Sequence, residues 1–566
     1  MRRFLPYLIL LAAVALVYGA TLRNGFVWDD TALILRDPLI RSPRLLGEGF
    51  RHFLFLDATA SDFYRPLQRA IYTLDYALAG FTPWVFHLTS LLVHAGAAMA
   101  LYVLGRRLLP HPSQFPALAV ALVWAVHPVH SSAVAYAAGV ADPLAALCAL
   151  SGLALLCSGR RVAAGLALGA ALFAKESGSI ALAIGLGLAW ELSRGQATKA
   201  RWISLGRVAV PALLMAGLYL GLRAQAEHTP PPKSNAITQV ARPVLMLRAV
   251  SEYAELLAAP VTLRMERSVA QPPCPAAGAV QTFTGALWLG AAAFWFWRSN
   301  RAARLFLLAA GVAYLPVSNL FALNATVAEH WLYLPSAFLF LAAAASWNGR
   351  TRPVWLGFAA LWVAALGCRT ALRCADWRDP GTFLQATIRA GGNSSRMLGN
   401  LASLKLGRGD TTGALRDYRA ALARQPGQPF AMLGLSGALI KAGEFTEARQ
   451  WLERCEKIPL IRADALVNLA VLEFRESGRD RVDLLREAAE INPRFWPLRK
   501  RYIAHLIERG ETELALRQLR EVLGNQPFRA ETWELLAKVF DQIGKPELAQ
   551  MAMRQADLRD LWRGWK

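Results

Sequence analysis

The stretch RCADWRDPGTF, residues 373–383, divides the chain into two unlike halves. Up to about residue 371, apolar runs of roughly 17 to 22 residues recur, each long enough as a helix to cross about 30 Å of hydrocarbon. From residue 391 onward no such run is found. Of the 566 residues, 55% are hydrophobic and only 18% are charged, with 18 Trp, a balance that excludes an ordinary soluble protein.

Working back from the seam, eleven membrane-spanning helices are expected, at 5–22, 84–104, 116–135, 141–157, 162–175, 177–192, 207–223, 281–297, 304–322, 331–347 and 353–370. With the N-terminus cytoplasmic, Arg2/Arg3, Arg106/Arg107, Arg160/Arg161, Arg194/Lys199/Arg201/Arg207, Arg298/Arg301/Arg304 and Arg350/Arg352 fall in short turns on one side, as the positive-inside rule requires. Acids and histidines collect on the other side, and everything after residue 371 is placed outside with them. The first apolar segment reads as a retained anchor, because the loop pattern needs it. The net charge of +22 follows largely from this topology. No nucleic-acid-binding module accompanies it, so nucleic acid is excluded as a partner.

Working forward from the seam, the tail repeats itself. Gly409, Gly443, Gly478, Gly510 and Gly544 recur at about 34 residues, as do Pro426, Pro459, Pro493 and Pro527. Ala414, Ala448, Ala515 and Ala549 put a small residue early in each second helix, where two helices must cross closely. Asp483 stands in that place in the third repeat. This is the tetratricopeptide (TPR) pattern, about five helical pairs forming an α-solenoid whose concave face is expected to grip a protein partner, the alternative being an array that only caps the membrane domain or mediates assembly. The expected fold is thus all-α: a polytopic helix bundle over 1–371, whose first outer loop is 23–83, a linker over 372–390, and a TPR domain over 391–566.

The first loop carries an adjacent acid pair, Asp29 and Asp30, in RNGFVWDDTAL, residues 23–33. Such a pair can supply a general base, since two neighbouring carboxylates repel and one holds its proton more tightly. It can equally start a loop or cap the next turn. His127 and His130, in HPVH, lack a third ligand at fixed spacing, so zinc is not expected. Lys175 and Glu176 stand between two apolar runs, where charge is costly by about 3 kcal/mol, and either serve a function or mark a turn at the water boundary.

The ordered set NGFVWDD (24–30), FYRPLQRAIYTLDYALAGFTPWVFHLTSLLVHA (63–95), VWAVHPVHSSAVAYAAGVADPLAAL (123–147), LFAKESG (172–178) and EHWLYLPS (329–336), followed by TPR repeats, resembles the transmembrane and TPR-containing O-mannosyltransferases and their bacterial relatives. These are glycosyltransferases of the GT-C superfamily. The resemblance implies transfer of a hexose such as mannose from a polyprenyl-phosphate donor to a hydroxyl of an extracytoplasmic acceptor, a Ser or Thr of a protein held by the repeats. It implies a multi-pass protein of a bacterial inner membrane. The competing reading is a membrane-anchored TPR scaffold without activity.

By the same resemblance, one of Asp29 and Asp30 is the catalytic base. His127, His130 and Lys175 lie in matched motifs and would line the donor phosphate. Tyr64, His87, Asp142, Glu176 and Glu329 would support the site. Where relatives carry an acid-Arg pair before the last motif, this chain has Glu329-His330, and Val140 and Ala141 replace the basic residue expected before Asp142. Arg65 and Arg223 would then supply the missing positive charge. A phosphate-facing His330 would make activity fall as pH rises through its titration. No metal is required, although Asp29 and Asp30 would be the ligands of a divalent cation if one binds.

Overall fold

The computed structural model describes residues 3–57, 61–227, 240–270, 274–321, 323, 325–347, 353–392, 394–493 and 495–563. Among them every regular element is helical, and β-structure is limited to two isolated bridges, His52 with Glu227 and Arg267 with Val327. The orientation markers Arg2, Arg350 and Arg352 lie outside the described residues.

All eleven apolar segments form helix, but they differ in reach. Six are long and apolar enough to cross a membrane: Leu5–Arg23, Pro83–Leu108, Ala137–Cys157, Thr198–Gln225, Pro275–Arg298 and Gly357–Ala375. The segment expected at 116–135 is bent by 50° between Phe115–Val126 and Pro128–Val134. Pro128 has no N–H to continue the helix, and the His127 side chain accepts from the Val129 amide at the break. The remaining four are Arg161–Ala174, Ile180–Leu192, Arg301–Tyr314 and Tyr333–Ser346, of 14, 13, 14 and 14 residues. At 1.5 Å per residue these reach about 21 Å, short of a full crossing. The expected eleven full spans become six, or seven counting the bent pair, with polar breaks such as Lys175-Glu176 shortening the rest.

The bundle is held by close crossings. Gly165 lies so near the Val208 carbonyl that a Cβ there would clash with it, and Gly169 abuts Met215 in the same way. These glycines let helices Arg161–Ala174 and Thr198–Gln225 pack backbone to backbone. Helix Pro275–Arg298 is only 6% buried over its apolar window and presents Phe283, Trp288 and Phe294 outward.

The tail forms five helical pairs, from Ser395–Gly407 with Thr411–Arg424 to Ala530–Gln542 with Pro546–Arg559. All five turn glycines adopt positive φ, between +68° and +88°, which explains why glycine recurs there. Ala414, Ala448, Ala515 and Ala549 are buried at the crossings. Asp483 instead turns outward to Arg481, and its helix, Val482–Ile491, has only 10 residues.

The two halves share one core. The stretch expected as a linker is largely helical: Pro380–Arg389 buries Phe383 and Leu384 in the same cluster as Leu10, Val27 and Trp124. At this end the Gly25 amide donates to the Arg378 carbonyl at 2.8 Å and Asn24 donates to Cys374. The far end of the solenoid is also fastened to the first loop. Arg529 pairs with Asp57, Asp560 takes hydrogen bonds from Arg41 and Tyr76, and Trp562 covers Gly80.

Candidate active site

The acid pair sits on a strained turn. Trp28 has φ +53°, a left-handed conformation that bulky residues rarely adopt and that costs of order 1–3 kcal/mol. Arg396, from the first repeat helix, lies over the Trp28 ring at 5.4 Å, and Phe383 packs against the same indole.

The two acids differ sharply. Asp30 is fully buried; its Oδ2 accepts from the Val27 amide at 2.9 Å and its Oδ1 from the Ala138 amide at 2.7 Å. Both oxygens are thereby committed to holding the first loop against the Ala137–Val140 turn. Burial pushes its pKa up to about 8. Asp29 is partly exposed. Desolvation raises its pKa, while a hydrogen bond from Tyr136 and the charges of Arg396 and Arg65 pull in the opposite direction.

Around Asp29 the structure gathers an ion-pair chain. The Arg65 Nε donates to Glu176 Oε2 at 2.9 Å, and the Glu176 Oε1 accepts from the Tyr64 amide at 3.0 Å. Next along the chain, Lys175 Nζ donates to Asp142 Oδ1 at 2.6 Å. Asp142 and Lys175 line a small cleft with Ser177, Gly178, Trp331 and Tyr333. His330 lies near Asp142, Lys175 and Arg65; burial first, then those two cations, push its pKa down to about 4 against the pull of Asp142. Burial therefore favours its neutral form, which moves the expected titration below neutrality. Arg223 donates to the Asp62 carbonyl and to the Tyr219 hydroxyl, bracing the loop beside Tyr64.

Three of the expected residues stand apart. His127 Nδ1 accepts from Val129 and its Nε2 faces the Leu257 carbonyl at 3.2 Å, so both nitrogens serve the backbone. His130 is sealed among Trp124, Tyr333 and His94. His87 is buried against the Asn24–Gly25 backbone. The structure does not bring the three imidazoles into the charged cluster, because the apolar helices around them enclose the rings.

Glu329 resolves the departure in the last motif. Its Oε1 accepts from the Arg264 amide at 2.6 Å and lies 3.5 Å from Arg267, which also pairs with Glu252. An arginine from 62 residues upstream thus faces the acid where the motif has histidine. Sequence reasoning missed Arg264 and Arg267, although two basic residues in LRMERS, residues 263–268, break the charge pattern of that side. Tyr136 and Arg396 carried no local signal. Among the described residues no group of three or more His, Cys, Asp or Glu is placed to share a metal ion.

Fold and cluster together define a membrane-helix bundle with a TPR solenoid folded back onto its first loop. A tetratricopeptide-repeat family model matches residues 400–459. The chain is 31% identical over 211 residues to protein O-mannosyl-transferase Tmtc1 of Drosophila melanogaster, covering 37% of this chain and 22% of that protein. It is 32% identical over 158 residues to human protein O-mannosyl-transferase TMTC4, covering 25% and 21%. Its relatives are therefore the transmembrane and TPR-containing O-mannosyltransferases, the family the motifs resemble, and the match spans about a fifth of those relatives' own length. Among solved structures, a thermophilic TPR protein of Thermus thermophilus is 19% identical with a TM-score of 0.25, over 30% of this chain and 93% of that one. MamA is 17% identical with a TM-score of 0.24, over 31% and 96%.

Proposed function

We propose that the protein is a GT-C-type membrane glycosyltransferase that moves a sugar from a polyprenyl-phosphate donor to a hydroxyl of a protein acceptor, with Asp29 as the base. The observation that carries the reading is the contrast within the acid pair. Asp30 is fully buried and spends both oxygens on backbone amides, whereas Asp29 is partly exposed, raised in pKa and flanked by cations. A base needs an accessible carboxylate, and the departing phosphate needs positive or hydrogen-bonding groups held in place beforehand.

In this reading the acceptor oxygen attacks the anomeric carbon as Asp29 takes its proton. The bond between that carbon and the phosphate oxygen breaks, and its electron pair leaves with the lipid phosphate. Arg65 and Lys175 would take up that charge, and Glu176 and Asp142 hold their side chains in position. The relatives' names favour mannose as the sugar and protein as the acceptor. The protein sits in a bacterial inner membrane, with the Asp29 end and the solenoid extracytoplasmic, and the repeats hold the acceptor. The test is sugar transfer by the purified full chain with polyprenyl-phosphate mannose and its glucose counterpart. Release of polyprenyl phosphate that depends on Asp29 supports the reading. No turnover with either donor, from protein whose repeats still bind peptide, refutes it.

A further inference from the structure

At the end of the bundle opposite Asp29, helix Ala141–Cys157 turns through Ser158–Arg160 into helix Arg161–Ala174. Arg161 stands 14 residues before Lys175, so this turn lies about 21 Å from the ion-pair chain. The Gly165–Val208 crossing sets one turn of each helix side by side and brings Arg207 next to Arg160 and Arg161. The three arginines and Gly159 line one pocket at the start of a 14-residue helix whose first amides have no side-chain cap.

Among the described residues no acid neutralises this charge. The sequence holds no Asp or Glu in 76–141, 143–175 or 192–226, the stretches that build this end of the bundle. Among the described residues no acid pairs with Arg160, Arg161 or Arg207, whereas Arg194 and Arg301 share Glu191 nearby.

A second feature adjoins the pocket. Between helices Leu5–Tyr18, Pro83–Leu108 and Ala141–Cys157 runs a groove lined mainly by Gly96, Met99, Ala100, Val103, Ala154 and Leu155, with Tyr7 and Ser151 also on its wall, and it ends at Ser158. Ser158 spends its hydroxyl on the Ala154 carbonyl. Ser158 and Gly159 are consecutive, so the mainly apolar groove ends one residue from the cationic pocket.

We propose that this is a binding site for an anionic phospholipid, its phosphate held by Arg160, Arg161 and Arg207 and an acyl chain lying along the groove. A free phosphate would use the arginines and not the groove; a zwitterionic lipid would use the groove and gain little from three unpaired cations. The site is separate from the Asp29 cluster and does not depend on the function proposed for it.

Native mass spectrometry of the detergent-purified full chain with equimolar phosphatidylglycerol and phosphatidylcholine tests the site. Retained phosphatidylglycerol should dominate and fall by about fivefold for each of Arg160→Gln, Arg161→Gln and Arg207→Gln. Arg207→Lys should retain most of it. Ala100→Phe, which fills the groove and leaves the arginines, should also lower it, with an unchanged melting temperature showing that the bundle is intact. Equal retention of the two lipids, phosphatidylglycerol retention unchanged in the triple variant, or its displacement by millimolar inorganic phosphate would each overturn the proposal.

Discussion

Arg529, in the turn before the last helical pair, reaches Asp57 of the first loop, 472 residues away, at 2.5 Å, and both side chains are nearly closed off from solvent. A pair so buried is costly to break from one side, because the surviving charge has no partner. Arg529→Ala should destabilise the contact by about 3–5 kcal/mol. Hydrogen exchange should then rise selectively across residues 37–57 and 528–563, while Arg529→Met with Asp57→Leu should recover most of the protection.

The acid pair should separate on mutation. Asp29→Asn should leave the melting temperature nearly unchanged and lower kcat by about a hundredfold to ten-thousandfold, the usual weight of a general base. Asp30→Asn places an NH2 group against a backbone N–H, stranding a buried donor at a cost of about 1–3 kcal/mol. It should lower the melting temperature and activity together. A thermal melt run beside the transfer assay distinguishes the two.

The pH profile follows from Asp29. A base must be ionised, and burial raises its pKa above the ordinary carboxylate value. Activity should therefore rise with pH along a limb displaced upward from that of a free aspartate. Arg396 pulls this pKa down, so Arg396→Gln should move the limb to higher pH. His330→Gln should leave the limb where it is, since His330 is already neutral there. A kcat/KM profile of the three proteins checks each sign.

The link between the halves also changes what a truncation reports. A tail that only gripped the acceptor could be removed with little effect on donor hydrolysis. Here removal of residues 391–566 takes Arg396 from the Trp28 turn and leaves Asp57 without its cation. Donor hydrolysis and protein glycosylation should both fall, and a release assay on the truncated chain measures it.

Much of this was legible in the sequence because it follows from local rules. Apolar run length located the six helices long enough to cross a membrane, and the 34-residue glycine spacing located all five turns, since a left-handed turn tolerates little else. Run length could not show which segments stop short, because a break at Lys175-Glu176 looks the same as a loop. The motif order brought Asp29, Arg65, Asp142, Lys175 and Glu176 into view, and the structure gathers them. It could not separate Asp29 from Asp30, whose difference lies in the Ala138 amide 108 residues away. Nor could it place Arg267 beside Glu329 or seal His130 behind Trp124, contacts that exist only once distant helices have packed.

A solenoid tied at one end is free to lengthen or shorten over evolution by whole repeats. This one is moored at Trp28 by its beginning, through Arg396, and at Arg41–Gly80 by its end. The number of repeats between the two moorings is therefore a measured length: inserting or removing a pair there would tear one of them loose, and variation in that span has to occur within the repeats.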